Sequence, residues 1–364
     1  MSQLAHAKPT ASHSAGDAEA TPNPWVLASE LLVAVESHMQ RLAFGTQADP
    51  LGAIATDQLL SGGRRLRARL ALATLSALGG EASDGVGWAS ACELLHNASL
   101  IHDDLQDGDT RRRGRTTTWA AYGCNQAINA GDLLLMLAYR AVGDVPVADA
   151  QKWRLVEALS EYAVRAVRGQ AAEPSLLIEH SFDWTSYVQV IEGKTAALIA
   201  LPVYGAALIA GRPAGEAHTL AHAYLLLGVI FQLQDDIVDI YGDKGRDVRG
   251  ADLREGKVSA LIVEHLARCP FDQEELVAIL ETPREEVTDV DVARVVELFN
   301  ISGALDGVLH RITRISRDVR SEIARFQCRA LTQVTEDVLR FALAPIKHIL
   351  PHANAGGAMI SRVP

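Results

Sequence analysis

Two aspartate triplets of identical spacing constrain this chain more than any other feature. The segment LIHDDLQD (100–107) places Asp103, Asp104 and Asp107 at i, i+1 and i+4, and FQLQDDIVD (231–239) repeats the pattern with Asp235, Asp236 and Asp239. On a helix, i and i+4 lie one above the other on a single face. Carboxylates about 5 Å apart repel by roughly 3 kcal/mol at an effective dielectric near ~20. Each pair therefore needs a counterion, and a hard divalent cation is the natural one. Each triplet also closes an apolar helical run, LLLGVIF (225–231) in the second case. A solvated helix end would account for one such cluster. Two of them, each ending a core-facing stripe, predict carboxylates that face each other across a bundle and cage several Mg²⁺ ions with the oxygens of a diphosphate.

The chain carries 34 Lys and Arg against 45 Asp and Glu, a net charge of −11, which argues against a nucleic-acid partner. An acidic protein with an acidic substrate needs local positive charge. SGGRRLRAR (61–69) supplies it by setting Arg64, Arg65, Arg67 and Arg69 at a helix start, where the macrodipole disfavours cations; such clustering predicts a bound phosphate. Arg111, Arg112 and Arg113 follow the first triplet. His96 lies two turns before Asp103 and shares its face. Lys194 interrupts an otherwise apolar helix, and a buried lysine is rare without a partner.

No segment alternates with period two, so the fold class expected is all-α. Helices are expected over 86–101, 127–142, 153–168 and 184–208, with Gly169 and Gln170 as a break or cap and Lys257 opening another helix. Residues 241–256 have the composition of a mobile loop over an active site. One large domain spans 25–350, after a tail (1–24) expected to be disordered and before a loose end (351–364). Cys92, Cys124, Cys269 and Cys328 are scattered without a CxxC pair, which argues against disulfides and a zinc site. They read as small core residues in a reducing compartment, the cytoplasm. The longest apolar stretch, 195–210, is shorter than the roughly 20 residues of a bilayer span and contains Pro202. Neither a transmembrane segment nor a secretory signal is visible.

Taken together, the two DDxxD triplets, the Gly-Gly-basic-Arg-x-Arg segment at 62–67, Arg-Arg-Gly at 112–114, Gly-Lys-Thr at 193–195 and Phe-Gln at 231–232 resemble the trans-isoprenyl diphosphate synthases of the polyprenyl synthetase family. The resemblance runs from about Ser61 to about Leu266. It implies a helical bundle around a deep central cavity, a homodimer, and Mg²⁺ as cofactor with three ions per active site. Asp103, Asp107 and Asp235 would be the main metal ligands, supported by Asp104, Asp236 and Asp239. Arg112, Lys194, Thr195, Gln232 and Lys257 match residues that hold the allylic diphosphate, and Arg64, Arg67, His96 and Arg113 those that hold isopentenyl diphosphate. Ala98 and Ser99 stand where a bulky aromatic would stop synthesis at the C15 product, so the resemblance implies a product of C20 or longer, with geranylgeranyl diphosphate foremost. Arg64 and Ala68 depart from the family's usual Lys and Pro. Its basic residue after the second triplet could be Lys244, Arg246 or Arg249. The competing readings are a class I terpene cyclase, disfavoured by the intact second triplet, and a non-catalytic subunit of a two-chain synthase, disfavoured because both triplets are present.

Overall fold

The computed structural model describes residues 23–44, 49–242 and 249–350. The tail 1–24 falls outside them except for its last two residues, as does the end 351–364. The chain is all-α. Its helices are α1 Pro24–Glu30, α2 Leu32–Phe44, α3 Pro50–Leu60, α4 Leu66–Ala77, α5 Val86–Asp107, α6 Thr118–Tyr122, α7 Cys124–Val142 and α8 Asp149–Ile178. They continue as α9 Trp184–Ile191, α10 Ala197–Ile209, α11 Ala214–Tyr241, α12 Ala251–Arg254, α13 Ala260–Arg268, α14 Gln273–Leu280, α15 Asp289–Ser302, α16 Ala304–Ala324 and α17 Arg329–Leu343.

The bundle is built around helices apolar on more than one side. In α10 every residue from Ala197 to Leu208 is buried, as expected of a helix without a polar face. The stretch Trp184–Ile209 is long and apolar enough to cross a membrane, but 78% of its apolar window lies inside the fold. It is a core element. The Trp88 indole of α5 donates to the Pro202 carbonyl at 3.0 Å. A Cβ on Gly205 would come within 2.0 Å of the same ring, so glycine is what lets α5 lie against α10. Helix ends follow local chemistry: Asp183 caps α9 by accepting from the Thr185 and Ser186 amides, and Gly108 ends α5 in the left-handed conformation.

Four sequence expectations need correcting. Gly169 and Gln170 neither break nor cap a helix; α8 runs straight through them to Ile178. A Cβ on Gly169 would lie 2.2 Å from the Lys194 nitrogen, so this glycine serves a backbone-to-backbone crossing. Lys257 does not open a helix but precedes α13, which Ser259 introduces. A short hairpin does occur: β1 (Arg111–Arg112) pairs with β2 (Arg115–Thr116), turned by Arg113 (φ 53°) and Gly114 (φ 75°), both left-handed as a two-residue hairpin loop requires. Finally, only Cys92 among the cysteines is a core residue; Cys124 is exposed.

Candidate active site

A cavity of about 990 Å³ opens between α5, α8 and the segment that joins α9 to α10. Asp103 and Asp107 line it at the C-terminal end of α5, together with Lys194, Thr195, Lys257, Gln170, Glu173, Glu255 and Arg284. Residues Glu192–Ala196 form one π-helical turn. This widened turn, a form often found at functional sites, carries Lys194 and Thr195.

Every carboxylate of the first triplet meets a cation. Arg112 bonds Asp104 through Nε and reaches Asp103 Oδ2 at 3.3 Å. Gln170 Nε2 donates to Asp103 Oδ1 at 3.2 Å, and Lys194 Nζ stands 3.7 Å from the same oxygen and 2.6 Å from Glu173. Lys257 Nζ sits 2.6 Å from Asp107 and 2.7 Å from Glu255. Burial alone would lower the Lys257 pKa, but Asp107, Glu255 and Glu173 outweigh it and hold the ammonium charged. Asp104 is buried, and desolvation pushes its carboxyl up to about 6 despite Arg112. The repulsion expected within this triplet is relieved here by basic side chains.

The second triplet, at the end of α11, is arranged otherwise. Asp235 is exposed, whereas Asp236 and Asp239 are buried. Asp236 accepts from the Tyr187 hydroxyl at 2.6 Å, the Ala260 amide at 2.6 Å and Gln232 Nε2 at 2.9 Å. Desolvation raises it to about 7. Asp239 accepts from the Asp252 amide at 3.2 Å. The two triplets communicate through the π turn: Lys194 faces Asp103, while Thr195 donates to Gln232 at 2.7 Å, and Gln232 donates to Asp236.

Beside the main cavity lies a basic pocket of about 480 Å³, lined by Arg64, Arg67, His96 and Arg113 with Glu93 and Phe341. Arg67 and His96 line both spaces. Burial lowers Arg67 to about 10. Burial, with Arg67 and Arg113 adding to it, holds His96 well below its usual pKa, so the imidazole is neutral. Arg67 Nε and His96 Nδ1 are buried without hydrogen-bond partners, as polar atoms awaiting a ligand would be. Arg65 belongs to the scaffold instead: it is buried and bonded to Glu36 and the Leu59 carbonyl.

A family model described as Polyprenyl synthetase matches residues 49–298. The chain belongs to that family. Its members are prenyltransferases. The short-chain isoprenyl diphosphate synthase of Methanothermobacter thermautotrophicus is 35% identical over 262 residues, covering 69% of this chain and 77% of its own. The geranylfarnesyl diphosphate synthase of Aeropyrum pernix is 32% identical, covering 71% and 82%. Among solved structures, a geranylgeranyl pyrophosphate synthase superposes with a TM-score of 0.79 at 25% identity, over 88% of this chain and 98% of that one. The polyprenyl synthase of Caulobacter crescentus, crystallised with calcium and isoprenyl diphosphate, gives 0.77 at 26%, over 88% and 97%.

Within this polyprenyl synthetase site, several residues escaped the sequence reading. Glu173 and Gln170 come from α8, Tyr187 from α9, Glu255 from the end of α12 and Arg284 from the segment after α14. Arg284 donates to the Asp107 carbonyl at 2.6 Å and to Asp109 at 2.8 Å. Each is a single polar residue in an ordinary helix or turn, without a local pattern. Ala98 and Ser99 both line the main cavity, as does Leu135 of α7, whereas the neighbouring Met136 is exposed. Of the basic residues after the second triplet, Lys244 and Arg246 lie outside the described residues, and Arg249 bonds the Ile240 carbonyl.

Proposed function

We propose that the chain condenses isopentenyl diphosphate with an allylic diphosphate to release a trans-prenyl diphosphate of C20 or longer, geranylgeranyl diphosphate first among them. The donor set suits a hard divalent metal: Asp103 and Asp107 offer carboxylate oxygens at the cavity wall, where Lys194 and Lys257 now supply the positive charge. Asp103, Asp107 and Asp235 would hold Mg²⁺, with Asp239 in support and Asp104 and Asp236 fixing the helix ends through their buried bonds. Bound there, the metal would offset the charge that builds on the departing diphosphate.

The chain's own groups do the rest. Arg112, Lys194 and Lys257 take the allylic diphosphate, and freed of their carboxylate partners they can donate to its oxygens as the C–O bond breaks. Thr195, bonded to Gln232 at 2.7 Å, ties the π turn that carries Lys194 to α11. Arg64, Arg67, Arg113 and neutral His96 hold the second diphosphate so that the isopentenyl double bond attacks the allylic carbon. The proton then lost from the new chain passes to the released diphosphate, so no catalytic side-chain base is required. Apolar walls from α5, α8 and α10 keep water from the cation.

Ala98 and Ser99 on the wall beneath Asp103 are the observation that carries the length reading: both are small, so neither plugs the cavity they line. The test is product analysis of the purified chain with Mg²⁺, isopentenyl diphosphate and an allylic primer. We expect a diphosphate of C20 or longer from the parent and C15 or shorter from Ala98→Tyr. A C15 product from the parent, or an unchanged distribution in Ala98→Tyr, overturns the length reading. A hydrocarbon product, or none, overturns the synthase reading itself. A homodimer is supported by the exposed apolar residues Tyr122, Ile128 and Met136 on α6 and α7, and four free cysteines fit a reducing compartment such as the cytoplasm.

A further inference from the structure

A second cluster of ligand-type side chains lies outside the synthase cavity, where α13 ends. His265 is fully buried in the last turn of that helix. Cys269 follows four residues later, its amide bonded to the His265 carbonyl at 2.8 Å, and the next turn brings up Asp272. The ligand atoms of these three residues all lie within 4.8 Å of one another.

The proton arrangement around His265 needs explaining. His265 Nδ1 lies 2.9 Å from Ser302 Oγ, whose hydroxyl also reaches the Phe299 carbonyl at 3.2 Å. With the hydroxyl proton on that carbonyl, Ser302 accepts from Nδ1–H, and Nε2 turns a lone pair toward Asp272 Oδ2, 3.1 Å away, without an aligned hydrogen bond. In that tautomer the two facing lone pairs call for a cation between them; with the ring proton on Nε2 the same atoms form an imidazole–carboxylate pair. Full burial works against a charged imidazole. A ring held by Nδ1–H to an acceptor, with Nε2 directed at a carboxylate and a thiol, is the arrangement metal-ligating histidines adopt.

We propose that His265 Nε2, Cys269 Sγ and an Asp272 carboxylate oxygen bind one zinc-class divalent cation. Nitrogen, sulfur and oxygen together select zinc over magnesium. Ligand atoms around tetrahedral zinc stand ~3.5 Å apart, from bonds of about 2.0–2.3 Å, so pairs that lie up to 4.8 Å apart need to draw in by about 1.3 Å at most. On binding, the thiol loses its proton to solvent, and water completes the coordination on the open side, where Asp272 is one-third exposed. No cysteine pair marks this site in the sequence; it has one cysteine and is assembled from a helix end and a turn. Its place is structural: the same α13 that begins by donating the Ala260 amide to Asp236 would be clasped at its other end.

The test uses the full chain, stripped of metal, held in excess Mg²⁺ to satisfy the aspartate triplets, and titrated with Co²⁺. The expected result is a thiolate-to-cobalt charge-transfer band in the near ultraviolet, saturating at one equivalent and bleached by Zn²⁺. Cys269→Ser, half-exposed and nearly isosteric, should lose the band while keeping the parent's helical circular dichroism and synthase activity. Cys124→Ser should keep it. No band in the parent, or an undiminished band in folded Cys269→Ser, overturns the proposal. His265→Gln, whose side chain is fully buried, serves only where its folding matches the parent, and there too the band must vanish.

Discussion

The two aspartate triplets share a spacing and a position at a helix end, yet their environments diverge. In the first, Arg112, Lys194 and Lys257 stand against the carboxylates of Asp103, Asp104 and Asp107. In the second, Asp236 takes neutral donors from Tyr187, Gln232 and the Ala260 amide, and its carboxyl titrates near neutrality instead of in the acid range. Spacing decides which carboxylates share a face. The groups packed around them decide which carry charge. The middle aspartate of each triplet, Asp104 or Asp236, is buried and raised in pKa, and Asp239 is buried too, which leaves Asp103, Asp107 and Asp235 to meet ligands.

The hardest blow to this contrast comes from deleting an outer carboxylate. Asp103→Ala and Asp235→Ala should each slow turnover by about 10³-fold or more, on the scale of removing preorganised charge stabilisation. Their metal-free melting temperatures should barely move, because Arg112 keeps Asp104 and Lys194 keeps Glu173, and Asp235 is exposed. Steady-state rates and melting curves check both, and a near-parental rate in either variant breaks the shared-metal reading. A smaller effect separates the two diphosphate sites. Lys194→Ala should lower kcat by about 10²-fold, whereas Arg67→Ala should chiefly raise the KM for isopentenyl diphosphate. The opposite pattern in initial-rate measurements would exchange the sites.

The mildest expectation concerns pH. The folded-state pKa of Asp236, about 7, lies above its unfolded value of 3.8. The folded protein therefore binds this proton more tightly, and stability falls as pH rises from about 4 through 7. Asp236→Asn keeps the shape and one acceptor oxygen but cannot ionise. Melting temperatures of metal-free parent and variant should differ in slope across that window, the parent losing more. Parallel curves would mean that Asp236 is already ionised at low pH.

Periodicity made most of this molecule legible. The α5 and α11 stripes and the triplets that end them are local patterns, and the basic pocket follows from arginines clustered at one helix start. What could not be read is what depends on elements distant in sequence. Glu173 meets Lys194 across 21 residues and Arg284 meets Asp109 across 175, and neither stands out among surface charges. Gly169 was misread for the same reason: a glycine costs a helix about as much wherever it sits, and only the partner helix tells a stop from a crossing. The hairpin at Arg111–Thr116 had its signal in Gly114, but two residues per strand are too few to alternate.

That crossing sets the tolerance to which the site is held. Where side chains separate two helices, a small displacement can be absorbed by a change of rotamer. At Gly169 and Gly193 nothing intervenes: a Cβ on Gly193 would lie 2.9 Å from the Arg165 carbonyl oxygen and 3.0 Å from the Gly169 Cα. Any shift of α8 is therefore passed to the π turn without slack. Glu173, one turn along α8 from Gly169, and Lys194, next to Gly193, are gauged against each other by this main-chain contact as well as by their own 2.6 Å ion pair. Substitutions on the solvent side of α8, far from any ligand, would thus register as errors in where the Lys194 ammonium stands.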